Sequence, residues 1–284
     1  MSFGRNSTTQ TTLSHNLSSI IGIVLKFFVF YFNIHQKFIN FAHEARLNDK
    51  TNTMTIAIIN AMHKEHEQIV ALLSDVKHTS DGRFSFVEGE LHGKHLVLME
   101  SGIGKVNAAV GAVELIHRYH PDALINTGVA GGIDPKLDVM DVVAGSRVAY
   151  HDVDCGPESE LGQVQGLPLY YEAAPSLLQA ALSIKPEEIH LHNGLICSGD
   201  QFITDRTQLN RIKKRYPDGL AVDMESGALS QVCYLYSVPF LSFRIISDTP
   251  GAEKHFDQYQ NFWETMADRS FGVTKALLEA LTNN

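Results

Sequence analysis

TIAIINAMHKEHEQIVALL, residues 55–73, decides how the chain is read. Residues 55–61 form an apolar run of the kind a strand needs when both its faces are buried. From Glu65 to Leu73 the period changes, and Ile69, Leu72 and Leu73 fall on one helical face. The same alternation continues downstream. Residues 84–91 and 94–99 alternate around His92-Gly93 and read as a hairpin. Residues 105–119 form a second amphipathic helix that stops before Pro121. Strand-like runs follow at 123–127, 141–150, 189–197, 220–222 and 240–246, with helices at 226–236 and 256–281. Strands separated by helices imply an α/β fold: a single-domain three-layer αβα sandwich on a central mixed, twisted sheet. Ligands of such sheets sit beyond the carboxyl ends of strands, so the residues after each strand are the ones to question.

Upstream of this pattern the composition changes. Residues 1–53 carry five Lys/Arg against two acids, whereas the rest carries 18 against 30. Seven of the fifteen Phe lie in that first stretch, around an apolar block from Ile20 to Ile34 broken by Lys26 and Asn33. Fifteen residues rise only about 22 Å as a helix, short of the roughly 30 Å hydrocarbon core. The block has the length of a signal-peptide core, but only Arg5 charges its front, and Ala42 and Ala45 are wrongly spaced for cleavage. The expectation is that residues 1–53 are a dispensable leader, or precede a true start at Met54, and that 54–284 form the catalytic domain. A membrane role is not expected.

The whole chain is 44% hydrophobic and 19% charged, with a formal charge of −9, which disfavours a surface that tracks nucleic-acid phosphates. Three distant cysteines, Cys155, Cys197 and Cys233, contain no CxxC pair and suit a reducing compartment, the cytoplasm. No metal site is expected. The 14 His are scattered, and His63 and His66 beside Glu65 lack an i, i+4 ligand spacing, so surface solvation is their expected role.

Three strand ends bear acids, and three bear glycine clusters. Glu65 follows the first strand, Glu225 follows residues 219–222, and Asp248 follows Phe243-Arg244-Ile245-Ile246-Ser247. Each has an ordinary explanation: Glu65 and Glu225 as acids at helix starts, Asp248 as a turn former before Pro250-Gly251. The glycine clusters, Ser101-Gly102-Ile103-Gly104-Lys105, Gly128-Val129-Ala130-Gly131-Gly132 and Ser198-Gly199-Asp200, let backbone N–H groups approach a ligand closely. They fit neither a P-loop, since Met99 stands where the first Gly belongs, nor a dinucleotide fingerprint, since Asn107 takes the third Gly position.

In order, however, NAMHKE, ESGIGKVNAA, NTGVAGGIDPKLDVMDVV, YHDVD, SGDQFI, AVDMES and FRIISD resemble the methylthioadenosine/S-adenosylhomocysteine nucleosidases of the purine-nucleoside and uridine phosphorylase superfamily. The resemblance covers 54–284, and such chains typically begin at the position of Met54. It implies a nucleoside phosphorylase-like fold and hydrolysis of adenine nucleosides in methionine salvage and S-adenosylmethionine recycling, without cofactor. It also implies roles. Asp248 protonates N7 of the leaving purine, Glu65 activates water, and Glu225 holds the ribose hydroxyls with Met224 against the sugar. Arg244 positions water and Glu65. Adenine stacks on Phe202, the Ile203 backbone reads its edge, and Gly131 and Ser247 complete the binding residues. Met62, Ile103 and Phe256 form an apolar slot for the 5′ substituent. Relatives close that slot from a neighbouring subunit, which implies a homodimer; the loop concerned here contains Cys155, Gly156 and Pro157.

Two departures stand out: Val129 where some relatives have Ser, and Met140 within the usual Val-Gly-Asp. The first threatens a hydrogen bond to the catalytic water, and the second alters a turn. Two rival readings remain. A phosphorylase of the same superfamily needs a cationic cradle for phosphate, commonly with Arg where this chain has Asn126, and Lys105 is the only nearby cation in the motifs. A non-catalytic nucleoside-binding protein has no need of three carboxylates.

Overall fold

The computed structural model describes residues 53–185, 189–249 and 255–281, with side chains at 255–256 and 265–270 outside the described set. The expectations for the leader and for the Pro250-Gly251 turn therefore lie outside the described residues. Strand β1 (Thr55–Asn60) shows why its run is apolar: Ile56 and Ile58 enter one core, Ala57 and Ile59 the other. Helix α1 (His63–Val70) follows, with its Glu65 side chain accepting the N–H of the N-cap residue Met62 at 3.1 Å. The helix ends at Val70, earlier than the periodicity to Leu73 suggests, because Leu72 and Leu73 turn the chain into β2 (Ser74–Asp81).

The hairpin β3 (Phe84–Leu91) and β4 (Lys94–Glu100) is present, and helix α2 spans Lys105–Tyr119 as expected. Next come β5 (Ala123–Gly132), β6 (Val142–Tyr150), β7 (Tyr171–Glu172), α3 (Pro175–Ser183) and β8 (Leu191–Ser198). The chain closes with α4 (Arg206–Arg215), β9 (Gly219–Asp223), α5 (Ser226–Tyr236), β10 (Phe240–Asp248), α6 (His255–Asn261), a π-turn at Phe262–Met266, and α7 (Ala267–Ala280). The last three replace the single helix expected over 256–281.

All ten strands form one mixed sheet, ordered β10-β6-β8-β9-β5-β1-β4-β3-β2, with β7 on β6. Helices α2 and α5 pack together over one face, and α3 and α7 pack together over the other. This is the expected three-layer αβα arrangement, with one addition. Strand β5 also pairs with β10, so β5, β10, β6, β8 and β9 close into a ring.

The closure depends on β5 running past Thr127 through the glycine cluster, which the sequence reading placed after the strand. Gly128 pairs with Arg244, and Gly131 pairs with Asp248 on one side and Val222 on the other. A register shift between Ile246 and Asp248 re-aims the end of β10, as bulges near binding sites commonly do. The ends of β5, β9 and β10, and the motifs they carry, thus converge at one rim. No helix among the described residues is long and apolar enough to cross a membrane.

Candidate active site

At that rim lies an open cleft of about 100 Å³. Eleven of the twelve expected site residues line it: Glu65, Asp248, Glu225, Met62, Ile103, Gly131, Phe202, Ile203, Met224, Arg244 and Ser247. The twelfth, Phe256, belongs to α6, and its side chain is outside the described residues.

Glu65 is buried and held by backbone. Its Oε2 accepts the N–H groups of Ala61 at 3.2 Å and Met62 at 3.1 Å, and its Oε1 accepts Val129 N–H at 3.0 Å. Burial pushes its pKa up, while Arg244 and the three N–H donors oppose the rise. Gly128 allows this packing: a Cβ there would stand 2.5 Å from Oε1 and 3.0 Å from Nη1 of Arg244. The Val129 bond comes from backbone, so replacing a Ser side chain leaves it intact.

Arg244 is buried in the middle of β10. Its Nε donates to Oδ2 of Asp223 at 2.8 Å, and its Nη2 donates to Oδ1 of Asn126 and to Oγ of Ser226 at 3.2 Å. Nη2 also lies 3.5 Å from Oε2 of Glu225. Ser226 Oγ in turn donates to Asp223, and lies 2.6 Å from Ser242 Oγ. A buried charge needs such partners, and this one has them. Glu225 accepts Gly104 N–H at 3.0 Å through Oε1. Burial is the chief reason its pKa is pushed up to about 7, with Arg244 opposing and Asp223 adding to the rise.

Asp248 ends β10, 2% exposed, and its Oδ1 accepts the Ser247 hydroxyl at 2.7 Å. Phe202 presents a half-open ring at the cleft, edge-on to Tyr259 with centroids 5.7 Å apart. Tyr259 OH reaches the Met62 sulfur at 3.7 Å. Aromatic walls, four carboxylates and one guanidinium among the described residues suit a flat base attached to a hydroxylated sugar.

Sequence reasoning missed Asp223 and Tyr259 as site residues. Asp223 stood in the quoted motif AVDMES, but its partner Arg244 lies 21 residues away and only the fold brings them together. Tyr259 sat unmarked in an amphipathic helix. Asn126, read only as the lack of an Arg, grips Arg244. Lys105 is not in the cleft: its Nζ pairs with Asp152 at 2.8 Å. His63 is exposed and bridges Glu67 and Glu100, but His66 corrects the expectation of surface solvation. It is buried beside Glu65 and Ile69 on the inner face of α1, and burial lowers its pKa. Met140 occupies a left-handed backbone position, φ 84°, which explains why a glycine suits the usual Val-Gly-Asp.

Residues 55–279 match the model of the phosphorylase superfamily. A 5′-methylthioadenosine/S-adenosylhomocysteine nucleosidase of Chromohalobacter salexigens is 41% identical over 229 residues, 80% of this chain and 97% of that protein. One from Halalkalibacterium halodurans is 39% identical, with 80% and 98% covered. Among solved structures, the nucleosidase of Colwellia psychrerythraea in complex with adenine superposes with a TM-score of 0.77 at 35% identity, covering 82% of this chain and 97% of that one. The Neisseria meningitidis nucleosidase in complex with methylthio-immucillin-A gives 0.75 at 39% identity, with 80% and 99% covered.

Proposed function

This chain belongs to the methylthioadenosine/S-adenosylhomocysteine nucleosidases of the phosphorylase superfamily, and from that footing we propose how its cleft works. It is an N-glycosyl hydrolase. It cleaves the N-ribosidic bond of 5′-methylthioadenosine and S-adenosylhomocysteine, and of 5′-deoxyadenosine, to adenine and a 5-substituted ribose.

The bond breaks toward an oxocarbenium-like sugar and a purine anion. One acid on the base side and one base on the far side of the sugar meet both needs, as in inverting glycoside hydrolases. Asp248 delivers the proton to N7. Glu65, fixed by three N–H donors, takes a proton from the water that attacks C1′. Glu225 binds the ribose hydroxyls, Met224 packs on the sugar, and Phe202 stacks on adenine. Met62, Ile103 and Phe256 receive the 5′ substituent.

The observation that carries hydrolysis over phosphorolysis is the state of Arg244. Among the described residues it is the sole Lys or Arg lining the cleft, and Asp223, Asn126, Ser226 and Glu225 already engage it. A phosphate nucleophile needs a cation with charge to spare. Purified protein in phosphate-free buffer should release adenine and free 5-methylthioribose at a rate that added phosphate leaves unchanged. A sugar 1-phosphate as main product would overturn this reading. The same assay on a chain starting at Met54 tests the proposal that residues 1–53 take no part.

The working unit is proposed to be a homodimer. Supporting it, Ile103 and, on α2, Val106 and Val110 are exposed, as are Tyr234 and Leu235 on the adjacent α5. Contiguous apolar surface of this kind favours a protein partner. A cytoplasmic setting fits three cysteines that remain thiols, two of them buried.

A further inference from the structure

Behind Glu65 lies a second, small pocket of about 20 Å³, room for about one water, which the catalytic roles above do not use. Asn60, Thr127, Gly128 and Thr274 supply its polar wall, and Phe262 and Trp263 of the π-turn close its other side. Asn60 is fully buried. Its Nδ2 donates to Thr127 O at 2.9 Å, while its Oδ1 has no protein partner. The hydroxyls of Thr127 and Thr274, each 2% exposed, lie 3.4 Å apart beside it. A buried amide oxygen left without a donor is costly. Polar walls with room for a water are where ordered water resolves such a cost.

Glu65 lines both this pocket and the cleft. Gly128 stands at the wall between, and its missing Cβ is what leaves Oε1 uncovered there. We propose that the pocket is a hydrated proton exit for Glu65, in which Asn60, Thr127 and Thr274 position water against the rear of the catalytic carboxylate. This inference rests on the nucleosidase reading of the cleft.

As the oxygen of the attacking water bonds to C1′, one of its O–H bonds breaks and the proton goes to Glu65. While the ribose product fills the cleft, the front of Glu65 faces sugar. Glu65 then gives its proton to the water behind it, which passes one of its own toward solvent, and the carboxylate is restored. Asp248, having protonated the purine, takes a proton from solvent, so one proton leaves and one enters per turnover. Burial raises the proton affinity of Glu65, which makes an assisted release useful.

Asn60, Thr127 and Thr274 are thus positioning residues, and their test is the solvent isotope effect on turnover. Thr274→Val keeps the volume and removes the hydroxyl; Asn60→Leu removes the amide oxygen. Each should lower kcat about tenfold, a barrier change of about 1.4 kcal/mol, with kcat/KM unchanged, because the slowed step follows bond cleavage. The solvent deuterium isotope effect on kcat should rise in each variant, since release of the proton from Glu65 then limits turnover. Asn60→Leu also strips Thr127 O of its donor and risks misfolding, in which case Thr274→Val decides. Wild-type kcat in a folded variant, or a loss with an unchanged solvent isotope effect, overturns the inference. A wild-type chain that releases no adenine overturns the functional reading itself.

Discussion

Replacing Gly128 by Ala tests the catalytic geometry without touching any group that carries a proton. The new Cβ would stand 2.5 Å from Oε1 of Glu65 and 2.8 Å from its Cδ, where ordinary contact begins near 3.4 Å. The carboxylate must therefore retreat by about 0.9 Å, because Arg244 Nη1, 3.0 Å away on the same side, is locked by its own partners. Retreat stretches the 3.0 Å bond from Val129 N–H and moves the base off the attacking water. A misplacement of about 1 Å costs on the order of 10²-fold in rate, or about 2.7 kcal/mol. The loss should fall on kcat, read by adenine release in a coupled spectrophotometric assay. Adenine affinity, measured by calorimetry, should hold, since Phe202 and Asp248 are untouched. The φ of 152° at this position adds backbone strain, so the melting temperature is followed in parallel. A folded variant with near wild-type kcat would refute the placement of Glu65 as the base.

Asp248→Asn keeps a hydrogen bond to N7 but delivers no proton; turnover should fall by about 10²–10⁴-fold while a substrate analogue still binds, and normal turnover would remove Asp248 from the acid's role. Glu225 titrates near 7 when folded but near 4.5 when free, so the folded chain retains a proton that the unfolded chain has lost between those values. Stability from this group therefore declines as pH rises from about 4.5 to 7, by on the order of 3 kcal/mol. Urea titrations of wild type and Glu225→Gln should show that pH slope in the first and not in the second. Val106→Asp puts a charge on the exposed apolar face of α2; light scattering should then find one chain mass in place of two, and an unchanged dimer would move the interface elsewhere.

The sequence made the interior of the fold legible because burial leaves a strong mark. Residues 56–59 face two cores in alternation and read as a strand without ambiguity. Strand β2 left no such mark. Its SDVKHTSD is exposed almost throughout and pairs only with β3, the polar edge that keeps a sheet from pairing with other chains. Helix α4 was readable and passed over: Asp205 caps it, accepting Thr207 and Gln208 N–H, and Lys213 to Arg215 fill its last turn. The ring closure had no local signal, because it depends on the pairing of Gly128–Gly131 with residues more than a hundred positions away.

The site divides along the same line. Acids at strand ends were visible one by one, and their motif order gathered them; which group neutralises which was not visible. Asn126 makes the difference concrete. In sequence it argues against phosphate only by not being Arg. In the fold, its Nδ2 is spent on Ile59 O at 2.9 Å and its Oδ1 receives Arg244. An Arg at this position would set two guanidinium groups against each other at the centre of the sheet. The amide does the opposite: it helps Asp223 and Ser226 fix the cation of the cleft where Glu65 and Glu225 can both feel it. The residue that disfavours a phosphate nucleophile is therefore also one that orders the charges around the attacking water.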